Sequence, residues 1–172
     1  SQPVSALIVA SLFSEQDTEL IVKNSGEHPW IDLTLEWLDR LQLKYRKKGY
    51  DYYFIQGKQS FDGFHYSVPG DWSSAAFPAA AALVTSGRVT LRNLEKNSIQ
   101  GDKKLFDHFR QMGASVIYDE SENSVEVSAG GPLRGIAVDI NDCIDAITIL
   151  AVVACYAQGE TRIYNGAVAR QK

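Results

Sequence analysis

Apolar and polar positions follow nearly the same order three times along this chain. Each copy opens with a run of small and apolar residues, reaches a turn position thirteen residues later and ends a strand-like run six residues after that. The equivalent positions are Ser5, Ser74 and Ala146, then Thr18, Gly87 and Gly159, then Asn24, Asn93 and Asn165. A repeat of about 70 residues is typical of one supersecondary unit stacked beside copies of itself. Because the third copy stops at Lys172, we expect the chain to be a piece of a larger protein.

The repeated pattern predicts the same elements in each copy. Helices of small residues are predicted at 4–13, 73–84 and 145–157, and their apolar positions on every side predict that they are buried. Strands are predicted at 19–23, 88–92 and 161–164, and amphipathic helices follow in the first two copies at 31–41 and 102–112. Hairpins close these two copies, with strands at 43–46 and 52–56, and at 115–118 and 124–127.

A few residues mark the expected ends of these helices. Asp71 and Ser73 are candidate N-caps of the second small-residue helix, and Pro78 is expected near its start, where a missing N–H costs little. Gly113 stands where the second amphipathic helix is expected to end, because glycine adopts the conformation of a C-cap easily.

The order of elements predicts the fold class and a division into two domains. Leading strands are expected at 64–68 and 136–140, which makes the unit βαβαββ. Alternating helices and strands predict an α/β or α+β fold, with the helices buried and the sheets outside them. Residues 56–70 are rich in glycine, serine and aromatic residues and are the plausible crossover between domains. We place a boundary near Val68, between residues 1–67 and residues 68–172.

Composition narrows the possible partners. The chain is 45% hydrophobic and 22% charged, with a net charge of −4 and no basic stripe, which argues against a nucleic-acid partner.

The longest apolar run, at 146–157, is too short to span a bilayer. The two cysteines, Cys143 and Cys155, fit free buried thiols in a reducing cytoplasm better than a disulfide scaffold. The three histidines share no metal-ligand spacing.

Several separate segments carry a resemblance to one known family. They are YSVPGDWSSAAF at 66–77, Ser1-Gln2 followed by SAL, HPWIDLT at 28–34, NSIQGD at 97–102, MGA at 112–114, Asp145, and RQK at 170–172. Together they resemble the domain crossover, the serine–glutamine substrate loop, the Pro-Tyr-Ile-Asp-Leu-Thr segment, the acidic helix start and the Arg-Val-Lys motif of the 5-enolpyruvylshikimate-3-phosphate (EPSP) synthase family. The resemblance spans the whole chain.

The resemblance implies a fold and an activity. The family fold consists of two inside-out α/β barrel domains, each of three βαβαββ units, so this chain would hold the last part of one domain and about half of the other. The implied reaction transfers the carboxyvinyl group of phosphoenolpyruvate to the 5-hydroxyl of shikimate 3-phosphate and releases phosphate. The resemblance also implies that the enzyme uses no metal or organic cofactor, that it is cytoplasmic and that the full-length protein is a monomer.

The resemblance also implies roles for individual residues. Asp145 would act as the base for the 5-hydroxyl and bind the ring hydroxyls, although an acidic residue at a helix start is also commonly a cap. Lys172 would contact the reacting hydroxyl. Because the segment that follows this lysine in the family carries the principal acid, the 172-residue chain alone is expected to be inactive. Ser1, Gln2 and Trp30 would bind the shikimate 3-phosphate.

Three positions depart from the family pattern. Trp30 stands where the family has a tyrosine, Glu27 where it has a phosphate-binding serine, and Val168 where some members have an asparagine ligand. Tryptophan keeps an aromatic wall but offers only an indole N–H, and a carboxylate repels phosphate. These departures bear on the contacts to shikimate 3-phosphate more than on the reaction class.

Two other interpretations stay open at the level of sequence. A related enolpyruvyl transferase that acts on UDP-N-acetylglucosamine shares the fold, but its crossover lacks the Gly-Asp-x-Ser-Ser run found at 70–74. A non-catalytic repeat module that binds a partner through its sheets is the second alternative. Such a module has no need of Asp145 or of the Ser1-Gln2 pair.

Overall fold

The chain divides into two compact units, Ser1–Ser67 and Val68–Lys172. The computed structural model describes residues 1–167 and residue 169. That the two units are parts of two enolpyruvyl transferase domains, residues 1–67 and 68–172, stays a prediction. Among the described helices, none has the length and apolar character that a bilayer crossing requires.

The first unit packs two helices against an antiparallel sheet. Its elements are α1 (Gln2–Leu12), β1 (Thr18–Ile21), α2 (His28–Arg40), β2 (Tyr45–Lys48) and β3 (Tyr52–Ile55). The strand order is β1-β3-β2, and both neighbouring pairs are antiparallel. The buried core joins Ile8 of α1 and Tyr53 of β3 to Ile31, Leu35 and Leu38 of α2. The spacing of the three α2 residues is that of an amphipathic helix with one buried side.

The second unit adds five strands and three helices. Its elements are α3 (Trp72–Val84), β4 (Arg88–Arg92), α4 (Lys104–Gln111), β5 (Ser115–Asp119), β6 (Ser124–Ser128), β7 (Ala137–Asp139), α5 (Ile147–Ala154) and β8 (Arg162–Tyr164). Short 3-10 turns, Gly101–Lys103 and Ile144–Ala146, directly precede α4 and α5. One sheet has the antiparallel order β4-β6-β5, and β7 pairs with β8 in parallel. Helix α3 packs against α5, β4 and β6.

The alternation of helices and strands confirms the predicted α/β (α+β) class. In the part of the chain that the structure describes, the strands form three open sheets and no closed barrel. Gly113 ends the second amphipathic helix as predicted, although the C-cap residue of α4 is Met112, directly before it. Gly113 has a positive φ of 105°, and the Ala114 N–H donates to the carbonyl of Phe109 at 3.0 Å, as in a Schellman motif.

The strand predicted at 64–68 is wrong, because these residues have no regular structure. A strand needs a neighbouring strand for its backbone hydrogen bonds, and residues 64–68 belong to none of the three sheets. Its aromatic residues contact α2 instead: the ring centroids of Phe64 and Tyr66 lie 5.5 and 4.7 Å from that of Trp37.

Three predictions about α3, α5 and the residue that follows α5 are corrected. Pro78 lies inside α3 rather than near its start, and its ring is exposed, so the lost backbone hydrogen bond falls on the outer side of the helix. The helix predicted at 145–157 starts with a 3-10 turn and its α-helical part ends at Ala154. Cys155, which follows it, is exposed rather than buried, whereas Cys143 is buried, and both thiols are free.

The small-residue helices are not buried on every side in the described part of the chain. Each buries one side within its own unit, and large apolar side chains project from the other. Leu7 of α1 is 55% exposed, Phe77 of α3 63% and Val152 of α5 52%. The prediction failed because one repeat unit cannot cover all sides of an apolar helix without its neighbours.

Candidate functional site

The first candidate residues lie at the start of α1. Ser1 is the N-cap and Gln2 the first helical residue, with Pro3 in the first turn, where a preset φ suits the helix. The Ser1 hydroxyl does not cap α1. It donates a hydrogen bond to Oε2 of Glu27 at 3.2 Å instead. Ser1 therefore links the start of α1 to the start of α2, and the Gln2 side chain is exposed beside it.

Trp30 lies in the first turn of α2. Glu27 is the N-cap of this helix and adopts a left-handed backbone with φ 52° and ψ 48°. A proline, Pro29, again occupies the first turn. The Trp30 N–H donates to the Glu27 carbonyl at 3.1 Å, and its side chain is half-buried. The starts of α1 and α2 are thus neighbours, so Ser1, Gln2 and Trp30 belong to one region of the first unit.

Two hydroxyl groups connect the same two helices one turn further in. The Thr34 hydroxyl donates to Oγ of Ser5 at 2.8 Å and also lies 3.2 Å from the carbonyl oxygen of Trp30. Ser5 belongs to α1, whereas Thr34 and Trp30 belong to α2. This connection fixes the backbone of Trp30 relative to the first turn of α1, which carries Gln2.

Asp145 lies in the second unit, inside the 3-10 turn Ile144–Ala146. The N-cap position of this turn is Cys143, and that of α5 is Ala146. The interpretation of Asp145 as a helix N-cap is therefore wrong, since the chain enters α5 through a tighter turn. The Asp145 side chain is exposed. Its carboxylate lies in the region of the helix start, where a negative charge is favoured.

Asp145 also lines a cavity of about 240 Å³ within the second unit. Ser73 and Phe77 of α3 and Asp102 of the 3-10 turn before α4 face the same cavity. Asp102 is only 2% exposed. Asp102 could not be assigned a role from the sequence, because a Gly-Asp pair before a helix has the same pattern whether its carboxylate is exposed or buried. The burial of the Asp102 side chain becomes evident only from the structure, in which α3 packs beside the 3-10 turn Gly101–Lys103.

Asp71 is confirmed as the cap of α3. Its carboxylate accepts hydrogen bonds from the backbone N–H groups of Ser73 and Ser74, at 3.1 and 3.0 Å, and from both of their hydroxyls at 2.6 Å. Desolvation acts to raise the pKa of Asp71, but these hydrogen bonds outweigh it and lower the pKa below its ordinary value. Ser73, the other candidate cap, donates to Asp71 and is not itself the cap.

The remaining candidates lie outside the described residues. They are Lys172 and the departure at Val168. The roles of Ser1, Gln2, Trp30 and Asp145 in substrate binding or catalysis stay predictions. Within residues 1–167 and 169, no group of three or more His, Cys, Asp or Glu side chains is arranged to hold a metal ion.

Comparison with protein families gives a match over the full sequence. The family model described as EPSP synthase (3-phosphoshikimate 1-carboxyvinyltransferase) matches residues 1–172. A 3-phosphoshikimate 1-carboxyvinyltransferase of Ruminiclostridium cellulolyticum is 37% identical over 172 residues, which are 100% of this chain and 40% of the relative. A protein of the same name from Chlamydia pneumoniae is 41% identical over 174 residues, 38% of its length. The chain thus spans about 40% of the length of these relatives.

Solved structures show a similar fold. An EPSP synthase from Acinetobacter baumannii matches 99% of this chain and 39% of its own, with a TM-score of 0.73 and 24% identity. The enolpyruvyl transferase NikO from Streptomyces tendae matches 92% of this chain and 37% of its own, with a TM-score of 0.66 and 17% identity. At these identities the likeness concerns the fold alone.

Proposed function

This chain belongs to the EPSP synthase family, and from that membership we propose the function of the protein that contains it. The proposed reaction transfers the carboxyvinyl group of phosphoenolpyruvate to the 5-hydroxyl of shikimate 3-phosphate, with release of phosphate. The match of the family model to all 172 residues carries this proposal. The relatives at 37% and 41% identity, which bear the name of this reaction, support it.

The reaction needs a base for the hydroxyl proton and an acid for the methylene carbon of phosphoenolpyruvate. We propose Asp145 as the base. Its carboxylate is exposed and lines a cavity, so it is accessible to a hydroxyl group. As the acid protonates the methylene carbon, the hydroxyl oxygen, which loses its proton to Asp145, adds to the central carbon of phosphoenolpyruvate. Loss of a proton from the new methyl group and departure of phosphate from this adduct then restore the double bond. Lys172 is proposed to contact this hydroxyl and to favour the negative charge that develops on it.

The start regions of α1 and α2 are proposed to bind shikimate 3-phosphate. Ser1 offers a hydroxyl and Gln2 an amide that is exposed beside it. Trp30 offers an aromatic surface and an indole N–H on a backbone that the Ser5 and Thr34 hydroxyls hold in place. Because the Ser1 hydroxyl donates to Glu27, Glu27 is also proposed to influence the affinity for the phosphate group.

The proposal extends to partners and location. The partners are small molecules, because a net charge of −4 without a basic stripe disfavours a nucleic-acid backbone. The free thiols of Cys143 and Cys155 suit the cytoplasm, where disulfides are rare. As in the family that the sequence resembles, the complete enzyme is proposed to act as a monomer.

Replacement of Asp145 tests the proposed chemistry. In the protein that contains this chain, Asp145→Asn keeps the size of the side chain but removes the base. We expect kcat with phosphoenolpyruvate and shikimate 3-phosphate to fall by about 10²-fold or more, the usual contribution of a general base. The thermal midpoint should change little, because the side chain is exposed. The matched control is Asp62→Asn, an exposed aspartate in the first unit. Unchanged turnover in Asp145→Asn would remove the assigned role.

A further inference from the structure

Tyr50 contacts α2 on both sides of Trp30 along the chain. Its ring stacks on His28, with 3.8 Å between the centroids and an angle of 1° between the planes. Its hydroxyl donates to Oδ2 of Asp32 at 2.6 Å. We infer that Tyr50 is a positioning residue, which holds the first turn of α2 so that Trp30 presents its indole to the substrate. This inference rests on the proposed function, since Trp30 is a proposed substrate-binding residue.

The hairpin between β2 and β3 holds Tyr50 in place. Gly49, directly before it, has a φ of 58°, a conformation that lets the hairpin turn tightly. The ammonium group of Lys47 lies 4.6 Å from the centre of the Tyr50 ring and 3.1 Å from Oδ1 of Asp32. Both carboxylate oxygens of Asp32 are therefore bound from the hairpin. A hydrogen bond to a charged group is also stronger than a neutral one.

His28, on which the Tyr50 ring stacks, is also held by Ser25. Its Nε2 atom lies 3.2 Å from the Ser25 hydroxyl and 3.1 Å from the Ser25 carbonyl oxygen. The His28 ring is thus held at its edge by Ser25 and at its face by Tyr50. Because a ring fixed in two directions has little freedom left, the backbone that carries it is also restrained.

Trp30 is consequently restrained by two separate elements. Helix α1 reaches its backbone through Ser5 and Thr34, and the hairpin reaches residues 28 and 32 through Tyr50. A site on such a supported turn binds more tightly, because less freedom is lost when the ligand arrives. Tyr50 itself need not touch the substrate to have this effect. Loss of its hydroxyl should therefore weaken substrate binding while leaving the chemical step intact.

The variant Tyr50→Phe tests this inference in the protein that contains the chain. It keeps the ring that stacks on His28 and removes only the hydroxyl that binds Asp32. The control is Tyr52→Phe, the same substitution two residues later in the hairpin. We expect Tyr50→Phe to raise KM for shikimate 3-phosphate by about tenfold, the equivalent of one hydrogen bond to a charged group, and to change kcat by less than about twofold. Tyr52→Phe should change neither constant.

Amide hydrogen exchange without substrate provides a second readout. Residues 28–34 should exchange faster in Tyr50→Phe than in the parent protein or in Tyr52→Phe. Unchanged exchange in these residues would overturn the inference. So would an unchanged KM, or a loss of thermal stability alone, because either would give Tyr50 a purely structural role. Absence of turnover in the parent protein would refute the proposed function instead, and the exchange comparison would still decide whether Tyr50 holds this turn.

Discussion

At the scale of single residues, Glu27 places a carboxylate beside the hydroxyl that is proposed to bind phosphate. The Ser1 hydroxyl donates to Oε2 of Glu27 at 3.2 Å. To donate to a phosphate oxygen, the Ser1 hydroxyl must first break its hydrogen bond to the Glu27 carboxylate. The negative charge of Glu27 also acts against a phosphate dianion at short range. Both effects lower the affinity of this region for shikimate 3-phosphate, compared with a site that has a neutral hydroxyl at position 27.

The variant Glu27→Ser should strengthen substrate binding. It removes the charge and frees the Ser1 hydroxyl, so we expect KM for shikimate 3-phosphate to fall by about tenfold, while kcat stays within about twofold. Steady-state kinetics of the protein that contains this chain measure both constants. Glu19→Ser, at an exposed position of β1 in the same unit, is the control for a general change in charge. An equal or higher KM in Glu27→Ser would show that the carboxylate does not oppose the substrate.

The sequence allowed the prediction of some of these residues but not of their contacts. The helix predicted at 31–41 left Trp30 just before its start, whereas α2 begins at His28, so that Trp30 lies in its first turn. The bond between Ser1 and Glu27 joins residues 26 positions apart, and the contacts of Tyr50 depend on how the hairpin folds back on α2. No local pattern encodes such contacts. The cap role of Asp145 was wrong because a 3-10 turn and an α-helix start have the same sequence signals.

At the scale of elements, the start of α3 depends on one side chain. Asp71 satisfies the N–H groups of Ser73 and Ser74, which otherwise have no partner inside the helix. The sequence predicted this cap correctly, because Asp before a run of small residues is a local signal. The strand expected at 64–68 shows the opposite case. A strand also needs a partner for its backbone hydrogen bonds, and the sequence of this segment alone does not specify one.

The variant Asp71→Ala should destabilise the second unit. Loss of an N-cap costs about 1 kcal/mol of unfolding free energy, and we expect a loss of about 1 to 2 kcal/mol in urea titrations at neutral pH. Because the pKa of Asp71 is lowered in the folded state, its contribution is present above the unfolded pKa and is lost as the pH falls through the folded pKa. The difference between the two proteins should therefore shrink in acid.

The control for this comparison is Asp62→Ala, which removes an exposed carboxylate from the first unit. Its unfolding free energy should stay within about 0.5 kcal/mol of the parent value, as for most exposed substitutions. If Asp71→Ala were as stable as this control, or if its deficit did not depend on pH, the capping role derived from the four hydrogen bonds would be incorrect.

At the scale of the whole molecule, the repeat explains both what the sequence predicted and what it did not. Helix order, hairpins and the mixed fold class followed from the recurring pattern, since each copy repeats the same local signals. The exposure of Leu7, Phe77 and Val152 did not follow, because it depends on which elements surround each helix. The chain spans about 40% of the length of its relatives, so the reaction is proposed for the protein that contains it.

Phosphate release with two alternative acceptors tests the central proposal most directly. The protein that contains this chain is given phosphoenolpyruvate together with either shikimate 3-phosphate or UDP-N-acetylglucosamine, and free phosphate is followed over time. We predict release with shikimate 3-phosphate and none above background with the nucleotide sugar. Release only with the nucleotide sugar, or with neither acceptor, would contradict the proposed function.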